Sequence, residues 1–231
     1  MNLTFDKKLS IEVVRTKRRK TASIKVSDGV VRVIIPDRLS DARVEALIQK
    51  RTSWIRRKLR EQLGVVTPKP KEYVNGESFT YLGRQYRLKV LQGADRGGKL
   101  KGGCLEVGLP RKSRDGGIRN ALVEWYEKHA LDRLTEKTNR YAGILGVSPN
   151  SISVRDYKSR WGSCSSKKEI SYNWRIIIAP QQIVDYVVVH ELCHLKHLNH
   201  SRAYWNSVER EVPDYGVCRH WLKMHAGELV I

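Results

Sequence analysis

The sequence has no CxxC pair, no apolar run near membrane-spanning length, and no apolar segment of signal-peptide length at its start; each absence removes a class. Its four cysteines, Cys104, Cys164, Cys193 and Cys218, are scattered through 231 residues. A chain of that length needs no disulfide staples, so free thiols in a reducing compartment are expected. The longest apolar runs, around Ile34, Ile177 and Val188, fall well short of the roughly 18 residues of a bilayer crossing. No membrane contact and a cytoplasmic location are the expectation. No internal repeat is evident. Acidic side chains are also scarce: 44 Lys and Arg stand against 24 Asp and Glu, a net charge of +20. Residues 1–118 hold 28 of the basic and 12 of the acidic residues, a net of +16. Polyanion contact through this basic N-terminal half is expected, without a readable nucleic-acid motif.

What is present, 40% apolar residues, is enough for a substantial core. Ala22–Val26 and Val31–Ile35 flank a turn at Asp28-Gly29 and predict a hairpin, which Pro36 stops. Ser40 or Asp41 caps a helix in which Val44, Ile48, Ile55, Leu59 and Leu63 share one face, while Lys50, Arg56, Arg57 and Arg60 project elsewhere. Gly64, Pro68 and Pro70 end it. Strands are expected at Ser78–Leu82, Tyr86–Val90 and Leu105–Val107. Gly93 to Gly103 reads as a solvated hairpin loop, since Leu100 stands where a phosphate loop needs Ser or Thr. An amphipathic helix runs from Ile118 to Leu134. Ser151–Ile178 then reads as a β-hairpin, before a helix starting at Pro180.

That last helix carries His190-Glu191-Leu192-Cys193-His194, an HExxH match. Residues four apart lie on one helical face, so both imidazoles can reach one metal with Glu191 beside them as base. By composition alone such a match has a chance of roughly one in eighty, and asking for His200 six residues on lowers it roughly thirtyfold. His200 would need a chain reversal, which Leu198-Asn199 can provide. His197, His220 and His225 remain alternatives for the third ligand. Three neutral imidazoles leave Zn²⁺ an open position for water or a substrate oxygen, the arrangement of a hydrolase.

The runs Arg160-Trp161-Gly162-Ser163-Cys164-Ser165, Ile170-Ser171-Tyr172-Asn173-Trp174, Asp185 to Leu195 and His200-Ser201-Arg202-Ala203-Tyr204-Trp205 resemble the YgjP-like family of metallopeptidase-type proteins, related more distantly to SprT-like and WLM domains. The resemblance implies an α+β, zincin-like catalytic domain: a small antiparallel sheet over an HExxH helix, with Zn²⁺ on His190, His194 and His200 and Glu191 as general base. Residues 118–231 would form that portion, preceded by a basic, strand-rich portion over residues 1–117 with one helix.

A polypeptide is the expected substrate, held along the edge of the hairpin by backbone hydrogen bonds. Arg160, Asn173 and Arg175 are the substrate-binding candidates. Trp161, Trp174 and Trp205 read as packing residues, and Tyr215 as an oxyanion donor only if it faces the metal. The resemblance also implies a nucleoside-triphosphate pyrophosphatase activity, notably towards UTP. Arg155, Lys158, Arg160, Lys167, Lys168 and Arg175 suit that alternative. A nucleic-acid-associated module with a structural metal is the third reading.

Overall fold

The computed structural model describes residues 2–4, 10–17, 21–27, 29–63, 69–95, 97–110 and 117–231. Asp28, Gly64 and Pro68 lie outside them, as do the side chains of Arg60 and Leu63. The chain divides into two compact units, Met1–Thr67 and Pro68–Ile231, rather than at residue 117.

In the first unit, strands β1 (Asn2–Thr4), β2 (Ser10–Thr16), β3 (Ser23–Ser27) and β4 (Val30–Pro36) form a sheet of order β1-β2-β4-β3, followed by helix α1 (Asp41–Leu63). The expected hairpin is β3–β4, with Ser27 opposite Val30. Alternation along β4 buries Val31, Val33 and Ile35, and these meet Val44, Ile48 and Ile55 from α1 in one core.

The second unit opens with the same topology. Strands β5 (Ser78–Tyr81), β6 (Arg84–Gln92), β7 (Gly97–Lys101) and β8 (Cys104–Leu109) are ordered β5-β6-β8-β7, with two antiparallel pairs around a parallel centre and helix α2 (Gly117–Leu145) following. The Gly93–Gly103 stretch is therefore not a simple loop. It supplies β7, whose Gly98 lies so close to Trp125 of α2 that a Cβ there would stand 2.5 Å from the indole. Glycine lets the helix press on this strand.

Next come β9 (Ser151–Arg155), β10 (Gly162–Cys164) and β11 (Glu169–Asn173), in the order β10-β11-β9. The hairpin is β10–β11, and β9 runs parallel to β11, so the small sheet is mixed rather than antiparallel. The cause is a tight turn at Ser165. Its Oγ accepts from the amides of Lys167 and Glu169, both at 3.2 Å, and Lys168 takes a φ of 60°. That joins β11 to β10 and leaves β9 the opposite edge.

The segment expected to continue as strand to Ile178 is instead a 3-10 turn, Trp174–Ile178. Asn173 starts it by accepting from the Arg175 amide at 3.1 Å, a local bond that competes with the sheet ladder. Helices α3 (Gln181–Cys193), α4 (Arg202–Glu211) and α5 (Tyr215–His225) complete a mixed α+β fold. Among the described residues no helix is long and apolar enough to cross a membrane.

Candidate metal centre

Helix α3 is apolar nearly all round. Ile183, Val184, Val187, Val188, Val189 and Leu192 are buried, so the helix runs through the core of its unit. Lys137 of α2 fastens it by a 2.6 Å ion pair to Asp185. Burial of this helix fixes the positions of His190 and Glu191 in its last turn, with His194 as its C-cap.

The chain then turns away before α4, and the reversal brings His200 back. The ligand atoms offered by His190, His194 and His200 all lie within 4.8 Å of one another. The two Nε2 atoms of His190 and His200 are 3.3 Å apart. His194 points its Nδ1 at the His197 carbonyl, 3.1 Å away, which suits a tautomer with Nε2 unprotonated. His197 thus contributes a backbone oxygen, while its ring meets Ser207 Oγ at 3.1 Å. His220 and His225 are not among the clustered donors.

Aromatic rings wall the cluster. Tyr204 donates to the His190 carbonyl at 3.0 Å, and its ring centroid lies 4.7 Å from those of both His194 and His200. Trp205 stacks on His200 at 5.5 Å and on Tyr215 at 5.1 Å, so Tyr215 packs behind the indole. Ser201 caps α4 and sets the start of this wall.

Glu191 is 5% exposed. Burial pushes its carboxyl up to about 8, partly opposed by Arg160. Its carboxylate lies against Gly162 of β10, where an added Cβ would stand 2.5 Å from Oε1. A cleft of about 270 Å³ opens over this point, lined by Arg160, Trp161, Gly162, Tyr186, His190, Glu191 and Arg219.

The imidazoles fit a metal. Burial, reinforced by the other two histidines and Arg219, takes His190 down to about 3, and burial also lowers His194; both shifts favour the neutral form that a ligand requires. A tetrahedral ion with bonds of about 2.0–2.1 Å sets its ligands roughly 3.3–3.4 Å apart, matching the His190–His200 separation of 3.3 Å. Among the described residues His190 Nδ1 is buried without a partner, and the ring nitrogens of His190 meet only another imidazole, an arrangement suited to a shared cation.

The other expected site residues are divided. Arg160 lines the cleft beside Glu191. Asn173 is 3% exposed, and its Nδ2 donates to the Tyr157 and Arg160 carbonyls at 2.8 and 3.2 Å, so it clamps the loop that carries Arg160. Arg175 pairs with Asp156 and lies over Trp174. It faces an adjoining cleft of about 580 Å³ that shares Arg160 and Trp161 with the first. Sequence reasoning missed Arg219, Tyr186 and the contact at Gly162. Arg219 is distant in sequence and part of no motif, whereas Gly162 sits inside a conspicuous Trp-Gly-Ser run.

A buried carboxylate lining an open cleft together with His190, one of three converging histidines, defines a hydrolase of the metallopeptidase type. The chain belongs to the YgjP-like family, whose metallopeptidase-domain model matches residues 20–225. Two solved structures are similar over part of it. One is the metallopeptidase zymogen of Pyrococcus abyssi abylysin, 21% identical with a TM-score of 0.35, covering 40% of this chain and 95% of that one. The other is the metallopeptidase zymogen of Methanocaldococcus jannaschii jannalysin, 19% identical with a TM-score of 0.34, covering 38% and 94%. None of the curated proteins matches the chain.

Proposed function

We propose that the protein is a zincin-like, zinc-dependent peptidase in which His190, His194 and His200 hold the ion and Glu191 is the general base. The carrying observation is the convergence of the three ligand atoms within 4.8 Å, with His190 among them lining the same cleft as Glu191. Zinc held by these three imidazoles would supply Lewis acidity towards an amide carbonyl and a water. Glu191 takes the proton and returns it to the departing amine. Strand β10, at the edge of its sheet, aligns an extended polypeptide by backbone hydrogen bonds. Arg160 and Arg219 border the cleft and face the substrate's polar groups. Asn173 acts through the loop it clamps, and Arg175 from the adjoining cleft.

Gly162 sets how closely β10 approaches the base. Gly162→Ala is expected to retain zinc and to lower turnover on the order of tenfold to a hundredfold, because displacing Glu191 misplaces the reacting proton acceptor. Turnover measured beside metal content checks this; unchanged turnover would show that the contact is tolerant.

A second reading, nucleoside-triphosphate pyrophosphatase, is favoured by one observation: Lys158, Arg160 and Arg175 rim the larger cleft. Wild-type protein incubated with an unfolded polypeptide, and separately with UTP, distinguishes them. Peptide products by mass spectrometry are expected with zinc, lost on chelation and restored by zinc. Pyrophosphate release from UTP without peptide products would replace the peptidase reading.

A further inference from the structure

The first unit holds 17 Lys and Arg against 7 Asp and Glu in its 67 residues. Six of those 17 fall within residues 50–60 of α1. There, the residues at three and four positions either side of Trp54 are Lys50, Arg51, Arg57 and Lys58, so every helical neighbour of this indole is cationic. Trp54 is half-buried and packs one side on the core of the unit. Beside it, between α1 and β3, opens a cavity of about 350 Å³ lined by Ala22, Ser23, Ile24, Leu47, Arg51 and Trp54. The cavity is thus a slot of small and apolar side chains with an indole and a guanidinium at its wall, beside further cations on α1.

We propose that this β3–α1 slot binds single-stranded nucleic acid, with a base entering against Trp54 and the flanking cations following the phosphates. The chemistry selects this occupant. An unpaired nucleotide brings a flat, apolar-faced ring and an anion in one repeating unit, matching the indole and the cations together. An acidic peptide satisfies the cations and leaves Ala22, Ile24, Leu47 and Trp54 without a partner. A membrane surface is disfavoured because the apolar face of α1 is already committed: Val44, Ile48 and Ile55 are at most 1% exposed in the core. Duplex nucleic acid keeps its bases stacked and offers only its backbone.

The inference is independent of the peptidase reading, since the slot shares no residue with the metal centre. Fluorescence anisotropy of the full chain with labelled oligothymidylate and oligouridylate of about 16 nucleotides tests it, alongside a duplex of matched length and poly-glutamate. Both single strands are expected to bind, weakening as salt rises, and more tightly than duplex or poly-glutamate. Trp54→Ala should weaken single-strand binding about 5- to 150-fold and leave duplex binding unchanged, while Trp54→Phe restores most of the loss. Should Trp54→Ala unfold the unit by circular dichroism, Trp54→Phe and the exposed-charge variant Lys50→Glu/Arg57→Glu carry the test; the latter should weaken single-strand binding without loss of structure. Equal affinity for duplex or poly-glutamate, or no response to the charge reversal, would overturn the proposal.

Discussion

Glu191→Gln is expected to bind zinc as the wild type does and to hydrolyse polypeptide at least about a hundredfold more slowly, because a positioned base contributes roughly 10²- to 10⁴-fold. The amide is nearly isosteric, so the fit against Gly162 and the 5% exposure of the site are preserved. What is lost is the capacity to accept a proton. The buried carboxyl has an affinity for protons well above that of an ordinary glutamate, which an amide cannot reproduce. Initial rates on an unfolded polypeptide, measured with bound zinc in the same samples, decide the matter: equal rates for the two proteins would remove Glu191 from the chemistry.

His190→Ala and His194→Ala are each expected to weaken zinc binding by more than about a hundredfold and to abolish hydrolysis. Even a residue that only orients a ligand typically contributes 10- to 100-fold to affinity. The two losses should differ in their structural cost. His190→Ala opens space beside Tyr204, whose hydroxyl keeps its bond to the residue 190 carbonyl. His194→Ala also strips the His197 carbonyl of its 3.1 Å contact, loosening the turn that returns His200. Elemental analysis after reconstitution and removal of free metal should give about one zinc per wild-type chain and little in either variant. Stoichiometric zinc in both would refute the assigned ligands.

Much of this centre was legible because its spacing is local. His190 and Glu191 lie in the last turn of one helix that His194 caps, and the turn that returns His200 spans only six residues. The hairpin over Ser23–Pro36 was readable for the same reason: two alternating segments flank a turn sequence. Where pairing depends on distant segments, the pattern gave less. The parallel β9–β11 pairing is set by the Ser165 turn and the crossing chain between the strands, neither of which alters the alternation in β9 itself. The Gly-rich β7 has too few side chains to announce a strand, and becomes one because Trp125 of a later helix lies on Gly98. The shared topology of the two four-stranded sheets left no sequence repeat, because a ladder requires backbone pairing and alternation, not the same residues. Asn173 was read as a residue able to face substrate; its burial and three backbone bonds depend on a loop whose path the sequence does not specify.

Helix α3 ends at Cys193, immediately before the His194 cap, and that ending gives the site a polarity of its own. Aligned peptide dipoles leave the equivalent of about half a negative charge at a helix C-terminus, and here that pole lies at the histidine cluster. A cation gains about 0.3–1 kcal/mol from such a field, and up to ~2 kcal/mol where water is partly excluded. The same field opposes an anion, so a triphosphate laid directly over the end of α3 would meet an unfavourable potential, whereas a neutral peptide group would not.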